Sequence, residues 1–509
     1  MKFILRKVCH RSSRLASPNA TVLGIRSSQE LYTFSREIAN LLKGYIYSVY
    51  HEGAQPYYPV YCWSDDFSYA ASGIPVVDVR GRDPLFLTTF YHTQFDTLDK
   101  VSREAMYVSL IVYGVYAIRL DRALVLPYDF TVWARDLAEK IDREALLMAG
   151  LDPKPLIEAL KSFHSTAERQ LKLANELRDL VTRGVKVEKK SVDLANKYLL
   201  ATAKILNSRL TTLGGHVPED TLYPHEQYQS DFTYLRKVIR ALEIGDVDVA
   251  ISSLEGVAGM SWGKHVSYEV FRYHLLNRVD PSRTDLFWAT GRLATYVDVY
   301  HDYYSLVNKK VAGITNYISE IMSLRMKIAT VVDNLRESVT KIIGALEEAT
   351  QALDLAIKSL LYAMPAEIAL VHATGVSSVT IVGKYFSPNS RVMITWDGEL
   401  IPTVPSPLIT NEEGSFVAII SVPTQVTPGL YVIAATDEEG ETATARFTVI
   451  DVRGPQGPQG PQGPPGEPAP LGYLVASLAL SIAAIVIAVL TSVRRLRWFP
   501  GPRFLLQAL

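Results

Sequence analysis

The longest uncharged run of the chain constrains its fold more than any other feature. Residues 471–493 (LGYLVASLALSIAAIVIAVLTSV) are 23 residues without a charged side chain. As a helix they would span ~34 Å at ~1.5 Å per residue, which is enough to cross a ~30 Å hydrocarbon core. Three arginines follow directly, and basic residues are typical of the cytoplasmic side. We therefore predict one transmembrane helix at 471–493, a cytoplasmic tail at 494–509, and a cell-membrane location with the bulk of the chain extracellular.

The start of the chain does not supply the export signal that such a location requires. The first residues, MKFILRKVCHRSSRLASPNA, are basic but have no apolar core of a signal peptide. We expect either another export route or a natural product that begins upstream of Met1. The two cysteines, Cys9 and Cys62, leave a disulfide and two free thiols equally open. A net charge of -1 predicts no nucleic-acid partner.

Two segments of distinct composition precede the apolar run. Residues 454–470 begin with five Gly-X-Y triplets; we interpret them as a stiff spacer, with a collagen-like trimer as the alternative. Residues 366–451 contain short β-rich runs separated by turn signals such as Asp397-Gly398. This pattern predicts an all-β sandwich similar to the immunoglobulin-like modules of microbial surface proteins.

Residues 305–364 carry a seven-residue apolar repeat. Two series, Val307 to Ala356 and Val311 to Leu360, are apolar at every position except Arg325. The repeat predicts a coiled-coil stalk; the alternative is a long amphipathic helix that lies on its own domain. We expect self-association, with a homodimer favoured and a trimer possible from the collagen-like triplets.

Residues 20–125 alternate strand-like apolar runs with helical patterns, which indicates part of an α/β domain. The strings SDDFSYAASGIPVVDV, YHTQFDTLDKV and ALVLPYDF resemble the end of the peptidase domain in the glutamate carboxypeptidase II and transferrin receptor family. That family resembles dinuclear zinc exopeptidases, which act on peptides. The resemblance covers roughly residues 20–300 and implies the C-terminal part of a zinc-peptidase-like domain at 1–125 and a helical dimerisation-like domain at 126–304.

The resemblance implies roles for three residues of the YHTQFDT string. His92 matches the last zinc ligand of the family, and a neutral imidazole is a good zinc donor. Tyr91 matches a catalytic tyrosine whose hydroxyl stabilises an oxyanion. Asp96 is expected either to orient His92 from the second coordination shell or to cap the next helix.

Four further residues are expected to contact substrate. Ser64 and Asp65 match positions that line the family's cleft. Arg80 and Arg82 fall near an arginine pair that binds a substrate carboxylate in the carboxypeptidase branch, although that match is displaced by one residue.

The chain also departs from the family pattern. A two-zinc site needs several carboxylates, two histidines and a glutamate base, and in the family these lie in a segment upstream of any residue present here. We therefore expect a membrane-anchored zinc exopeptidase-like protein that is incomplete and inactive alone, with a missing catalytic half as a partner. The alternative is a non-catalytic surface or receptor-like protein with a relic peptidase fold, and whether the chain is an enzyme stays open. The predicted fold class is multidomain: a partial α/β domain, an all-α domain with a coiled coil, an all-β sandwich and one transmembrane helix.

Overall fold

A computed structural model describes residues 19–60, 66, 69–70, 72–91, 93–210, 223–257, 259–274 and 297–450. These residues belong to one compact unit that ends at Ile450. The predicted spacer, transmembrane helix and tail lie outside the described residues, and so do Cys9 and Cys62.

The N-terminal segment is built on a three-stranded sheet with the order β2-β1-β3. Strand β1 pairs in parallel with β2 and antiparallel with β3. The elements are β1 (Val22–Ser27), α1 (Tyr32–Leu41), α2 (Lys43–Tyr47), β2 (Ala54–Tyr57), β3 (Val77–Arg82), α3 (Pro84–Thr89) and α4 (Arg103–Arg122). Leu23, Ile25 and Val79 are buried on one face of the sheet, where they share a core with α1 and α4.

A helical body follows the sheet. Its helices are α5 (Thr131–Glu139), α6 (Arg143–Met148), α7 (Lys154–Thr182), α8 (Lys189–Arg209), α9 (Pro224–Glu243), α10 (Val247–Leu254), α11 (Met260–Gly263), α12 (Tyr268–His274), α13 (Tyr300–Val311) and α14 (Ile318–Ala363). Helix α14 has 46 residues and packs along α7, α8 and α9.

The predicted coiled-coil stalk is wrong, because the apolar repeat of α14 is buried inside its own helical body. From Ile321 onward the apolar members of the repeat pack in hydrophobic clusters shared with the preceding helices, and Leu335, Ile342, Leu346, Leu353 and Leu360 are buried there. A stripe of this period packs on any helices that offer complementary ridges. Here α7 and α8 of the same chain offer them, which is the alternative interpretation of the repeat.

Residues 367–449 form two sheets with a common core. Their order is β4-β6-β10-β9 and β5-β12-β11-β7-β8. The strands are β4 (Glu367–Leu370), β5 (Thr374–Gly375), β6 (Ser378–Lys384), β7 (Val392–Trp396), β8 (Glu399–Leu400), β9 (Thr403–Val404), β10 (Phe416–Ser421), β11 (Gly429–Asp437) and β12 (Thr442–Val449). The burial pattern alternates along β10, so that every second side chain enters the core between the sheets.

The sandwich also contacts the helical body. Tyr385, which follows β6, is 8% exposed and belongs to the hydrophobic cluster of the helices. Two polar contacts also join the sandwich to α7: Lys172 binds Glu413 at 3.1 Å, and Arg169 donates to the Glu412 carbonyl at 3.2 Å. Tyr385 contributes apolar burial to this contact, whereas exposed ion pairs of this kind contribute little.

The predicted fold class is therefore wrong for the described part of the chain. The described residues form a mixed helical and sheet structure with several small sheets, and α14 is part of the helical body and not a separate stalk. None of the helices found in the described residues combines the length and apolarity that crossing a membrane requires. The helix predicted at 471–493 lies outside the described residues.

Two leucines of α14 test the intramolecular packing of the repeat. Leu353 is fully buried, whereas Leu355 is 45% exposed on the same helix. Leu353→Ala should lower the free energy of unfolding by about 2–5 kcal/mol, because it removes buried methyl groups and leaves a cavity. Leu355→Ala is the matched control and should lower it by well under half as much. Urea denaturation at two protein concentrations gives both values, and a loss for Leu353→Ala that depends on concentration would indicate an intermolecular seam instead.

Candidate functional site

The second face of the small sheet is polar and carries the two arginines predicted to bind substrate. Directly paired residues of antiparallel strands point to the same face, and here Arg26 pairs with Asp78, while Gly24 pairs with Arg80. Arg26 is 3% exposed. Its guanidinium binds Asp66 at 2.9 Å and Asp78 at 3.3 Å, so a buried cation is held between two carboxylates.

Both predicted substrate arginines have partners within the protein. Arg80 forms an ion pair with Asp78. The guanidinium of Arg82 lies 4.4 Å from the ring centre of Tyr57 and donates to Gln55 at 2.6 Å. The Arg82 side chain crosses over β1 to reach β2, and Gly24 of β1 leaves room for it, because a Cβ there would be 3.2 Å from Arg82 Nε.

The other predicted site residues are only partly described. Ser64, Asp65 and His92 lie outside the described residues. Tyr91 follows α3 and packs beside Phe86, with ring centres 6.3 Å apart. The Asp96 amide donates to the Thr93 carbonyl.

The next long helix, α4, has its own cap. Ser102 caps it by accepting a hydrogen bond from the Ala105 amide at 3.1 Å. Within the part of the chain that the structure describes, no group of three or more His, Cys, Asp or Glu side chains could hold a metal ion.

A buried carboxylate that the sequence did not single out lies at the junction of the sheet segment and the helical body. Glu30 follows β1 and is fully buried. It accepts hydrogen bonds from Trp133 Nε1 at 2.7 Å and Asn207 Nδ2 at 2.9 Å, while its carbonyl accepts from the Asp129 amide. One residue therefore connects β1 to α5 and α8.

A second polar chain runs beside Glu30. Gln29 donates to Asp136 at 3.0 Å and to the Tyr223 hydroxyl at 3.3 Å, and that hydroxyl donates to Asp136. Thr33 donates to Asp129 at 2.6 Å. These bonds satisfy most of the polar atoms that the junction buries.

Burial controls the ionisation of this junction. It raises the pKa of Glu30 to about 7, although the bonds from Trp133 and Asn207 oppose the shift. Burial also lowers the pKa of nearby His225 to about 4. The arrangement can hold or release a proton near neutral pH, but it lies in the core and not in a cleft, so its evident role is to join elements. The donors to Glu30 are 103 and 177 residues away, so no local sequence pattern could indicate them.

The N-terminal segment also has a large exposed apolar surface, which we call the α4 surface. Helix α4 buries Ala105, Val108 and Val112 on one side, yet the opposite side is also apolar. The α4 surface comprises Leu85, Leu87, Phe95, Leu98, Met106, Tyr107, Leu110 and Ile118, all of which are exposed. A helix that is apolar on all sides is usually buried on all sides, so this surface is typical of an interaction site.

Comparisons with known proteins show no family for this chain. No protein-family model and no curated protein matches it. Pseudomonas fluorescens alkylpurine DNA glycosylase AlkC, solved on DNA with an abasic site analogue, is 13% identical over 56% of this chain and 97% of its own, with a TM-score of 0.13. The N-terminal part of the bacterial S-layer protein SbsC is 15% identical over 57% of this chain and 78% of its own, with a TM-score of 0.14. TM-scores this low carry no argument about fold or function.

The raised pKa of Glu30 predicts a specific pH dependence of stability. The folded state holds this proton up to pH of about 7, whereas an unfolded glutamate loses it near 4.5. Protonated Glu30 therefore makes its full contribution to the free energy of unfolding below about pH 4.5. This contribution, at most about 3 kcal/mol, is lost as the pH rises to about 7. Urea denaturation between pH 4.5 and 8 gives the free energy of unfolding as a function of pH. In Glu30→Gln this free energy should no longer show the decrease with rising pH that Glu30 causes in the wild type.

The comparison of wild type with Glu30→Gln isolates one group. His225 contributes the opposite pH dependence, but it is present in both proteins and cancels in their difference. Glu37→Gln, which changes an exposed carboxylate of α1, should leave the slope as in wild type. A difference between wild type and Glu30→Gln that stays constant over this pH range would contradict the assignment.

Proposed function

We propose that the chain is a non-catalytic, receptor-like structural protein of a cell surface, in which the peptidase-like segment is built into a rigid head. The observation that carries the proposal is a single hydrophobic cluster. It runs from Ala20 of that segment through the helical body to Tyr385 of the sandwich. A shared core of this extent favours one rigid body over separately moving modules.

The edges of the small sheet support the same proposal. The edge strand β2 contains Pro56, which has no N–H to offer to another strand. On β3, the Val79 N–H donates to the Tyr113 hydroxyl of α4 at 2.9 Å. A strand that extended the sheet beyond β3 would have to displace Tyr113, so both edges are protected at these points.

The polar face of the sheet is consistent with a structural role. Arg26, Arg80 and Arg82 all bind partners of the same segment, and Arg26 is buried between carboxylates. Removal of one partner of a buried ion pair is strongly destabilising. Arg26 therefore joins β1 to β3, and Arg82 joins β3 to β2.

A second candidate function is that of a zinc exopeptidase whose catalytic half is another polypeptide. The α4 surface favours it, because so much exposed apolar area around one helix fits a protein partner. In that case zinc and the peptide substrate would bind mainly to the partner, with His92 and Tyr91 contributed by this chain.

The location at the cell membrane stays a prediction. It rests on the sequence of residues 471–493 and the arginines that follow, which lie outside the described residues. Fractionation of cells that express the full chain tests it directly.

Metal analysis together with peptidase assays distinguishes the two candidates. The purified full chain, given zinc, should bind less than one zinc per molecule and should cleave neither aminopeptidase nor carboxypeptidase substrates. Arg82→Ala should lower the free energy of unfolding by about 1–2 kcal/mol, because the stacking on Tyr57 and the bond to Gln55 are lost.

Two results would overturn the proposal of a non-catalytic protein. The first is stoichiometric zinc together with activity that His92→Ala abolishes. The second is zinc-dependent activity that appears only after mixing with a polypeptide encoded beside this chain, in which case Leu110→Glu on the α4 surface should abolish it. The second result would establish the split-enzyme alternative.

A further inference from the structure

The start of α14 and the turns beside it present large apolar side chains to solvent. Six residues form what we call the tip patch: Ile244, Val311, Ile314, Ile318, Met322 and Met326. Each is between 47% and 84% exposed. The patch lies at the opposite end of α14 from the sandwich, which follows Ala363.

The fold places four of the six residues side by side, and Val311 and Ile314 lie in the chain just before α14. Ile318, Met322 and Met326 are four residues apart and form one ridge along the helix. Arg325, within the same turns, binds Glu243 at 2.7 Å, which places the adjacent Ile244 beside the ridge. Methionines at such a surface adapt their shape to a partner.

Three residues of the tip patch are members of the seven-residue repeat, whereas Ile244, Met322 and Met326 are not. Val311, Ile314 and Ile318 belong to the same two series as Leu346 and Leu353. The later members are buried against α7 and α8, whereas these three remain exposed. These three repeat positions are therefore left exposed, although Ile321 and Ile328 of the same repeat pack against the cluster that includes α9.

We propose that the tip patch binds the tip patch of a second copy of this chain, forming a symmetric dimer. Burial of an aliphatic side chain removes roughly 60–120 Å² of apolar surface, so the six residues offer roughly 250–500 Å² per copy. A standard interface buries about 800 Å² per partner, of which about 60% is apolar. The patch therefore supplies the apolar part of an ordinary dimer interface.

The charges around the patch fit an identical partner. Arg325 is paired with Glu243, and Lys310 is paired with Asp248, so these two pairs add no net charge that would repel a second copy. In a two-fold arrangement the same surface is used on both sides. The four-residue ridges of two such helices can interdigitate at a crossing angle near −50°.

Sedimentation equilibrium of the full chain in mild detergent tests this proposal. The wild type should be a dimer at micromolar concentration. Met322→Glu combined with Met326→Glu should weaken the dimer at least about 100-fold, because the two changes place four like charges in one apolar interface. Met322→Ser with Met326→Ser should act in the same direction without adding charge, and circular dichroism confirms that each variant is folded.

Leu355→Glu is the matched control, since it adds a charge to an exposed leucine of the same helix outside the patch. It should leave the dimer intact. A monomeric wild type overturns the proposal, as does a dimer or trimer that survives both double variants or a control that dissociates as far as they do. These outcomes do not depend on catalysis, so the proposed function can fail or hold separately.

Discussion

The burial of Glu30 is the interaction on which the described structure depends. A single carboxylate lies in the core between the end of β1, α5 and α8, with Trp133 and Asn207 as its donors. Loss of either donor would leave buried polar atoms unsatisfied, which is costly in free energy. The small sheet and the helical body are therefore fixed to each other by polar geometry as well as by apolar packing.

The position of α14 follows from that junction. Helix α8 carries Asn207 on the side that faces Glu30, and α14 packs along α8, α7 and α9. The C-terminal half of α14 then leads to the sandwich, where Tyr385 returns to the same hydrophobic cluster. One interaction near the start of the chain thus influences the placement of elements more than 300 residues later.

The sequence predicted local features well and long-range partners poorly. Asp397 and Gly398 both have positive φ between β7 and β8, as their turn signal indicated. The apolar repeat of α14 correctly indicated a helix with one apolar side, but periodicity does not say whether the covering helices come from the same chain. At the candidate site, strand pairing places Arg80 and Arg82 on one face, yet the burial of Glu30 depends on donors that no local pattern connects to it. A carboxylate next to a strand is usually solvated, so its sequence context indicated nothing unusual.

The two exposed apolar surfaces have different physical origins. The α4 surface surrounds a helix whose other side is already packed on the sheet, so its exposed side is additional to what this fold needs. The tip patch lies on a side of α14 that differs from the buried side, where Leu324 and Ile328 pack in the helical body. The exposed four-residue ridge of Ile318, Met322 and Met326 can interdigitate with the same ridge of a second helix, which favours another copy of this chain as the partner. The proposed self-association therefore depends on the exposed start of α14.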